Sequence, residues 1–349
     1  MKKTDDKDLL LSIISRQNRL ILILSIALIL VPLLLVNRES ISESLSELFV
    51  SKEIKHYEKP EVDENSISYW KGYNTEYIED SVYKAQIMYG KELIVHTSKY
   101  LGPNGSVQKL TNGLNCQNCH LEAGTKPFGN NYGSVASLYP KVRARSGTEV
   151  DIPGRINGCF ERSMNGKALD RDSKELKAMT AYMEYIGSNV PKGVKAEGSG
   201  LKDVTYLNRP ANPNNGKIIY ENKCASCHMP DGEGALALDE TEYLYPPLWG
   251  EHSFNDGAGL SRITKMARYV KYNMPFGVKH DAPELSDEET WDVSAYILSQ
   301  PRPHLDTPND WPDLAKKPID HPFGPYADQF SEEQHKYGPF QPILITRKK

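Results

Sequence analysis

The hydrophobic pattern of the chain begins with one long apolar run and continues with shorter helical patterns. The seventeen residues from Leu20 to Val36 include no charged side chain. At a rise of about 1.5 Å per residue, this run reaches the lower limit for a helix that crosses a bilayer. Basic residues precede it, so the positive-inside rule places residues 1–19 in the cytoplasm. Because no A-x-A cleavage site follows Val36, the pattern favours an uncleaved, single-pass signal-anchor over 20–36.

Beyond the apolar run, the pattern predicts two mostly helical units. A polar stalk over 37–80 leads to the first unit, 81–187, and the second unit covers 213–300. Neither unit shows the sustained alternation of apolar and polar residues that predicts a strand. The linker between them, 188–212, is rich in Gly, Pro and Asn. The Pro-rich tail, 301–349, is predicted to wrap the two units as irregular, extended chain.

The two units follow the same order of features, which indicates a divergent repeat. A helix comes first, a Cys-x-x-Cys-His motif follows, and a second helix closes the unit. An Ala-Tyr pair, at 181–182 and again at 295–296, fixes the register of the two closing helices. Ser286 and Glu289 form a capping box where the second closing helix begins. The predicted helices are 82–100 and 172–186 in the first unit and 216–223 and 286–300 in the second.

Composition and charge narrow the class of protein. Charged residues make up 25% and hydrophobic residues 39% of the chain, as in ordinary globular proteins. The net charge of −4 argues against nucleic acid as a partner, since nucleic-acid binding favours strongly basic surfaces. Five cysteines in 349 residues are too few for a disulfide scaffold.

The repeated Cys-x-x-Cys-His motif is the attachment signature of c-type haem. Two thiols three positions apart can bond the two vinyl groups of one porphyrin, and the adjacent histidine can donate a ring nitrogen to the iron. Zinc would need four ligands at each site, and a redox dithiol would need a βαβ context. We therefore predict two covalently attached haem c groups. The attaching residues are Cys116, Cys119, Cys224 and Cys227, and the iron ligands are His120 and His228.

Haem c is attached outside the cytoplasm, which agrees with the predicted topology. The expected location is the bacterial cytoplasmic membrane, with the haem domains on the periplasmic side.

In the second unit, Met274 is the candidate for the sixth position of the iron. It lies 46 residues after His228, in a Pro/Gly loop before the last helix, as in a class I cytochrome c domain. Met266 is a rival, but it lies in a helical pattern that favours a place in the core. Lys265 and Lys271 are also near enough in sequence to replace a thioether. Ligation by His and Met raises the reduction potential, which suits an electron exit.

In the first unit, two residues compete for the same role. Met164 lies 44 residues after His120, close to the spacing of Met274. Cys159 lies 39 residues after His120 and is the one cysteine outside the two motifs. Both are soft ligands, but a thiolate donates electrons far more strongly and would lower the potential of this haem. A third interpretation makes Cys159 a small buried core residue. The residues alone leave these alternatives open.

Four sequence runs resemble the dihaem thiosulfate dehydrogenase / tetrathionate reductase family from about residue 83 to the C-terminus. They are PGRINGCFERSMNGKAL, NGLNCQNCHLEAGTKP, YNMPFG and the tail that begins WPDLAKKPIDHPFGPY. The resemblance implies that Cys159 is the ligand of a catalytic His/Cys haem and that Met274 completes a His/Met haem. It also implies catalytic roles for Arg145 and Ser163. Some members have a lysine that exchanges with the methionine on reduction, whereas this chain has Asn273 at that position.

The implied reaction joins two thiosulfates into tetrathionate and releases two electrons, or runs in reverse. An external redox partner is implied, either a cytochrome, an oxidase or a quinol-linked complex. Residues 141–167 carry a local surplus of three positive charges, which can gather a small dianion or pair with haem propionates. These charges are Lys141, Arg143, Arg145, Arg155, Arg162 and Lys167 against Glu149, Asp151 and Glu161.

Two other functions fit the same motifs. A membrane-anchored dihaem electron carrier would need no thiolate at the first haem, so Cys159 discriminates against it. A cytochrome that binds thiosulfate to a cysteine of a partner protein would need a docking subunit.

Overall fold

Two pairs of packed helices form the framework of the computed structural model, which describes residues 68–347. The first domain contains α1 (Ser81–Val95), α2 (Thr97–Leu101), α3 (Leu121–Gly124), α4 (Val135–Leu138), β1 (Lys141–Val142), β2 (Glu149–Val150), α5 (Ile152–Arg162) and α6 (Lys174–Ile186). The second contains α7 (Pro213–Lys223), α8 (Ala225–His228), β3 (Ala235–Leu236), β4 (Tyr243–Tyr245), α9 (Ile263–Asn273) and α10 (Asp287–Ser299). The tail contains α11 (Glu332–Tyr337) and α12 (Gln341–Arg347).

The predicted N-terminal segments lie outside the described residues. They are the cytoplasmic residues 1–19, the signal-anchor 20–36 and the stalk as far as residue 67. Within residues 68–347, no helix combines the length and the apolar character that crossing a membrane requires.

The helix-forming sequences begin with side chains that satisfy the first free backbone amides. The Asp80 carboxylate accepts from two amides of α1. Asn212 does the same for α7, whose first residue is Pro213. Ser286 and Glu289 form the predicted reciprocal capping box of α10. The single helix predicted over 82–100 is instead two helices, because the backbone leaves the helical conformation at His96.

The predicted repeat register is visible where the helices cross. In the first domain, a Cβ atom on Gly90 would lie 2.0 Å from the carbonyl oxygen of Ala178 and 2.9 Å from the Cβ of Tyr182. In the second domain, a Cβ atom on Gly216 would lie 1.9 Å from the carbonyl oxygen of Asp292 and 2.8 Å from the Cβ of Tyr296. Only glycine permits such close contact between helices. Tyr182 and Tyr296, which align in the sequence repeat, therefore occupy equivalent positions.

Each domain also contains one short antiparallel strand pair, which the sequence analysis did not predict. β1 pairs with β2 through Lys141–Val150 and Val142–Glu149, and β3 pairs with β4. Strands of two or three residues are too short to show an alternation of apolar and polar residues. The domains are otherwise mostly helical, as predicted.

The tail packs against the second domain rather than remaining wholly irregular. Phe340 and Ile343 are almost fully buried and join a core cluster with Ile263, Trp291 and Ala295 of that domain. Further back along the tail, the Trp311 amide donates to the carbonyl of Arg145 in the first domain, at 2.7 Å. The tail therefore reaches both domains.

Candidate redox sites

The first attachment motif lies in a tight turn between α2 and α3. A 3₁₀ turn covers Cys116–Asn118, and the amides of Cys119 and His120 donate back to the carbonyl of Cys116. Thr97, the first residue of α2, accepts from the Cys116 amide at 3.0 Å and fixes the turn to the start of that helix. Burial raises the pKa of both motif thiols to about 12. They are therefore neutral thiols. The two are not joined in a disulfide.

The His120 ring is oriented by a single strong contact. Its Nδ1 lies 2.5 Å from the carbonyl oxygen of Asn130, so Nδ1 must carry the proton and donate. Nε2 is then the ring nitrogen available to a metal ion. Tyr132 packs beside the ring, with 4.6 Å between the ring centroids.

Cys159 lies on helix α5 together with the charge that activates it. The Arg155 guanidinium donates from Nη1 to the Sγ of Cys159 at 2.8 Å. Burial alone would raise the pKa of this thiol, but Arg155 and the nearby His120 ring outweigh burial and lower the pKa to about 6. Cys159 is thus a thiolate at neutral pH, unlike the two motif thiols.

Helix periodicity explains this grouping. Arg155, Cys159 and Ser163 are spaced by four residues and share one side of α5. Ser163 follows the helix directly, is half-buried, and its amide donates to the carbonyl of Cys159. From the sequence alone, Arg155 was part of the surplus of positive charge over residues 141–167 and had no site role of its own. Its position four residues before Cys159, on a predicted helix, is the signal that identifies it.

Arg145 lies in a second cationic group next to the tail. The Asp310 carboxylate pairs with Arg162 at 2.8 Å and with Arg145 at 3.9 Å. Arg145 also lies over the Trp311 ring, 5.6 Å from its centroid. Burial lowers the pKa of Arg145 to about 10, with Arg162 and Arg155 contributing in the same direction. Two guanidinium groups share one carboxylate, so this group keeps a net positive charge.

The second site repeats the histidine half of the first. Helix α7 leads into Cys224, and α8 carries Cys227 and His228. The Nδ1 of His228 lies 2.8 Å from the carbonyl oxygen of Pro246. Nε2 is again the free nitrogen. Burial lowers the pKa of His228, which keeps the ring neutral.

The sulfur residue of the second site lies in a different setting from Cys159, because Met274 follows the end of helix α9 whereas Cys159 lies within α5. Its amide donates to the carbonyl of Val270, and its side chain contacts the second core cluster. Met266 is 3% exposed and belongs to that core. Lys271 donates to the carbonyl of Leu285 and pairs with Asp287 at 3.0 Å. Burial lowers the pKa of Lys265 to about 8.

In the first site, Met164 is 4% exposed. Its amide donates to the carbonyl of Cys159, and its carbonyl accepts from the amide of Asn112. Its backbone thus links the end of α5 to the segment before Cys116.

Both sites fit a covalently attached haem c. Each offers two thiols that form no disulfide and a histidine whose Nδ1 is held by a carbonyl, with Nε2 free for the iron. A soft sulfur residue is available in each domain as a further ligand: Cys159 in the first and Met274 in the second.

Comparison with known families agrees with two such domains. The family model "SoxA/TsdA, cytochrome c domain" matches residues 106–191, and the model "Cytochrome c" matches residues 213–301.

Curated relatives carry one common name. A thiosulfate dehydrogenase of Psychrobacter arcticus is 41% identical over 236 residues, which cover 67% of this chain and 69% of that protein. One of Allochromatium vinosum is 39% identical over 223 residues, which cover 62% of this chain and 81% of that protein. The solved structure of thiosulfate dehydrogenase (TsdBA) from Marichromatium purpuratum, in its as-isolated form, superposes with a TM-score of 0.62 at 28% identity. That match covers 68% of this chain and 50% of the solved chain.

Proposed function

The chain belongs to the thiosulfate dehydrogenase family of dihaem c-type oxidoreductases, and from that premise we propose that it couples two thiosulfates into tetrathionate or catalyses the reverse reduction. The observation that carries this proposal is the Cys159 thiolate, held 2.8 Å from Arg155 beside the His120 ring. A plain electron carrier has no need of an activated thiolate at this position. The working direction depends on the potentials of the two sites.

In the proposed first step, the sulfane sulfur of one thiosulfate forms a sulfur–sulfur bond with the Sγ of Cys159. The thiolate carries one negative charge and thiosulfate carries two, while the resulting cysteine S-thiosulfonate carries one. Two electrons therefore leave, and no proton moves. Arg155 keeps Cys159 deprotonated and stabilises the anionic groups during this step.

In the second step, the sulfane sulfur of another thiosulfate attacks the sulfane sulfur of the adduct. The bond to Cys159 breaks, tetrathionate leaves, and the thiolate is regenerated. This is an ordinary thiol exchange, which proceeds best when the leaving thiol has a low pKa. The lowered pKa of Cys159, about 6, suits it to that role.

Both substrates are dianions, so positive charge and hydrogen-bond donors must hold them near Cys159. We assign this role to Arg145 and Ser163, with Arg155 directly at the sulfur. Ser163 lies one helical turn beyond Cys159, where its hydroxyl can donate to a sulfonate oxygen. Arg145 and Arg162 share Asp310, and their surplus positive charge attracts anions to this side of the molecule.

The haems, when bound, accept the two electrons one at a time and relay them to an external acceptor. We propose that His120 and Cys159 ligate the first iron and that His228 and Met274 ligate the second. The external acceptor is a cytochrome, an oxidase or a quinol-linked complex.

We also propose that residues 20–36 anchor the chain in the bacterial cytoplasmic membrane, with the haem domains on the periplasmic side. The support is the uncharged run Leu20–Val36 and the basic residues before it. Fractionation of cells that express the full chain should find it in the membrane, and deletion of residues 1–36 behind a cleavable leader should release it. A full chain found only in the soluble periplasm would contradict the anchor.

The test of the function follows thiosulfate-dependent reduction of ferricyanide by the dihaem protein, with tetrathionate measured as product. We expect Cys159→Ala to abolish this activity while the haem content stays at two. Met164→Leu is the matched control, because it preserves volume one turn away and should keep both activity and spectrum. Mass spectrometry of the substrate-treated wild type should find a thiosulfonate on Cys159. Turnover by Cys159→Ala at the wild-type rate would refute the proposal.

A further inference from the structure

Helix α9 belongs to the second domain, but one of its side chains donates a hydrogen bond to the attachment turn of the first domain. The Tyr269 hydroxyl donates to the carbonyl oxygen of Asn118 at 2.7 Å. Asn118 lies between Cys116 and Cys119, so this contact reaches the turn that carries the first haem. Tyr269 is 6% exposed, and burial raises the pKa of its phenol well above the usual value. The hydroxyl therefore remains a donor at every physiological pH.

The last residue of the same helix makes a second contact with the first domain. Asn273 is 1% exposed, and its Nδ2 donates to the carbonyl of Phe128 at 3.1 Å and to that of Tyr269 at 3.2 Å. Phe128 lies two residues before Asn130, whose carbonyl orients His120. Met274 follows Asn273 directly. The end of α9 is therefore bonded to both segments that determine the position of His120.

Asn273 satisfies its donors at the expense of its acceptor. Its Oδ1 is buried and has no hydrogen-bond partner within residues 68–347. A buried acceptor without a partner is destabilising, because no hydrogen bond compensates its loss of hydration. Exchanging the two ends of the amide would oppose two carbonyl oxygens to Oδ1, so the orientation is determined. The hydrogen bond to Phe128 in the first domain holds the side chain in this orientation, although its acceptor has no partner.

The loop between β3 and β4 of the second domain contacts the residues just before the same turn. Glu242 accepts from Asn115 at 2.9 Å and lies 3.1 Å from His96, and the Ser98 hydroxyl donates to the carbonyl of Thr241. This contact fixes the start of the turn but leads to no proposed ligand of the second iron. Among these contacts, the one through α9 alone connects the turn with the residue before Met274.

We infer that Tyr269 and Asn273 are positioning residues that tie the Met274 end of α9 to the segments carrying His120, and so hold the two redox sites at one fixed separation. The inference rests on the proposed transfer of electrons between the two haems. In that transfer one electron leaves one site and enters the other, so the molecule undergoes no net oxidation or reduction. A fixed separation suits such a transfer, since small misplacements of reacting groups slow reactions by large factors.

The experiment measures electron redistribution between the two haems of the full dihaem protein after photochemical reduction, without thiosulfate. We expect Tyr269→Phe to slow the redistribution, and Tyr269→Phe with Asn273→Ala to slow it by about tenfold or more. Both reduction potentials and the absorption signature of methionine ligation should stay as in the wild type. Tyr272→Phe is the matched control, because its hydroxyl bonds the linker carbonyl of Asp203 from the same helix. It should redistribute electrons at the wild-type rate.

The outcomes separate this inference from the proposed function. Redistribution at the wild-type rate in both Tyr269→Phe and the double variant would overturn the inference, whatever the thiosulfate activity. A slowing equal to that of Tyr272→Phe would also overturn it, since it would reflect general loosening of α9. Because no thiosulfate is present, an enzyme that fails to form tetrathionate can still confirm it. If Asn273→Ala loses the methionine signature, Tyr269→Phe alone decides.

Discussion

The two redox sites hold their histidines in the same way but differ in the sulfur residue that is available as the second ligand. In both, two motif cysteines precede a histidine whose Nδ1 donates to a backbone carbonyl. The distance is 2.5 Å for His120 and 2.8 Å for His228. The sulfur candidate of the first site is a thiolate on a helix, bonded to Arg155. That of the second is a neutral thioether just beyond a helix end, partly buried against the core.

This difference shows how one scaffold can serve two tasks. The shared half attaches and orients a haem without determining its chemistry. In the proposed function, the sulfur residue makes the first site a reaction centre and the second a relay, because a thiolate can bond a substrate sulfur whereas a thioether can only tune the potential. Arg155 contacts Cys159 directly, and Arg145 lies close enough to Arg155 and Arg162 for both to lower its pKa.

The two sites should become alike when both have the same sulfur ligand. We expect Cys159→Met to lower thiosulfate turnover by about a thousandfold or more, because the nucleophile is lost. The potential of the first haem should rise towards that of the second, since thioether replaces thiolate. Steady-state assays and an optical redox titration measure the two effects. The unaltered second haem is the internal control, and an unchanged first-haem potential would exclude Cys159 as its ligand.

A smaller effect is expected from removing the charge beside Cys159 while keeping the sulfur. Arg155→Met should raise the pKa of Cys159 and lower turnover by about a hundredfold, as for the loss of one electrostatic donor in a buried site. Lys167→Met removes one positive charge from the same segment at an exposed position, so it should stay within about twofold of the wild type. Equal losses in the two variants would reduce the role of Arg155 to general attraction of anions.

Spacing explains how much of these sites the sequence could predict. The Cys-x-x-Cys-His motifs carry their whole geometry in five consecutive residues, so both attachment sites were predicted directly. Arg155 was assigned no site role, although the interval of four residues to Cys159 was available. The tail residue Asp310 could not be predicted as the partner of Arg162, because 148 residues separate them in sequence and no local pattern encodes such a contact.

A substitution at the second site tests the thioether half of this difference. Met274→Ala should remove the thioether, and we expect the potential of the second haem to fall by more than about 60 mV, which is tenfold in the equilibrium of a one-electron couple. The first-haem potential and the thiosulfonate on Cys159 should remain. Met266→Leu tests the rival ligand and should change only stability, by less than about 1.5 kcal/mol. A loss of the methionine signature in Met266→Leu would contradict the assignment to Met274.

The fold was predictable where local pattern and packing agree. The closing helices α6 and α10 lie close to their predicted bounds, and the Ala-Tyr register matches the glycine crossings of both domains. The break at His96 and the short strand pairs were missed, because three-dimensional packing rather than periodicity produces them. The helices α11 and α12 were missed as well, since they depend on burial of Phe340 and Ile343 against the second domain.

The smallest expected effect compares the starts of the two closing helices. Ser286 accepts from the Glu289 amide at 3.1 Å and its own amide donates to the Glu289 carboxylate at 2.8 Å. Ser173 starts α6 with one longer bond to the Leu176 amide, 3.3 Å, and no acidic side chain returns it. We expect Ser286→Ala to cost about 1–2 kcal/mol locally and Ser173→Ala about 0.5 kcal/mol. Amide hydrogen exchange resolved by helix measures both.

Acid should separate the two helix starts further. The bonds from the Ser286 backbone and side chain lower the pKa of Glu289 below its ordinary value of 4.5. The stabilisation from this carboxylate is therefore complete above the ordinary value and is lost as the pH falls through the lowered one. We expect the protection of the first turn of α10 to decrease over that range in the wild type but not in Glu289→Gln. The first turn of α6 has Leu176 in the equivalent position and should show no such loss. An equal decrease at both helix starts would mean that acid loosens the domains generally, and the capping box would then contribute nothing specific to α10.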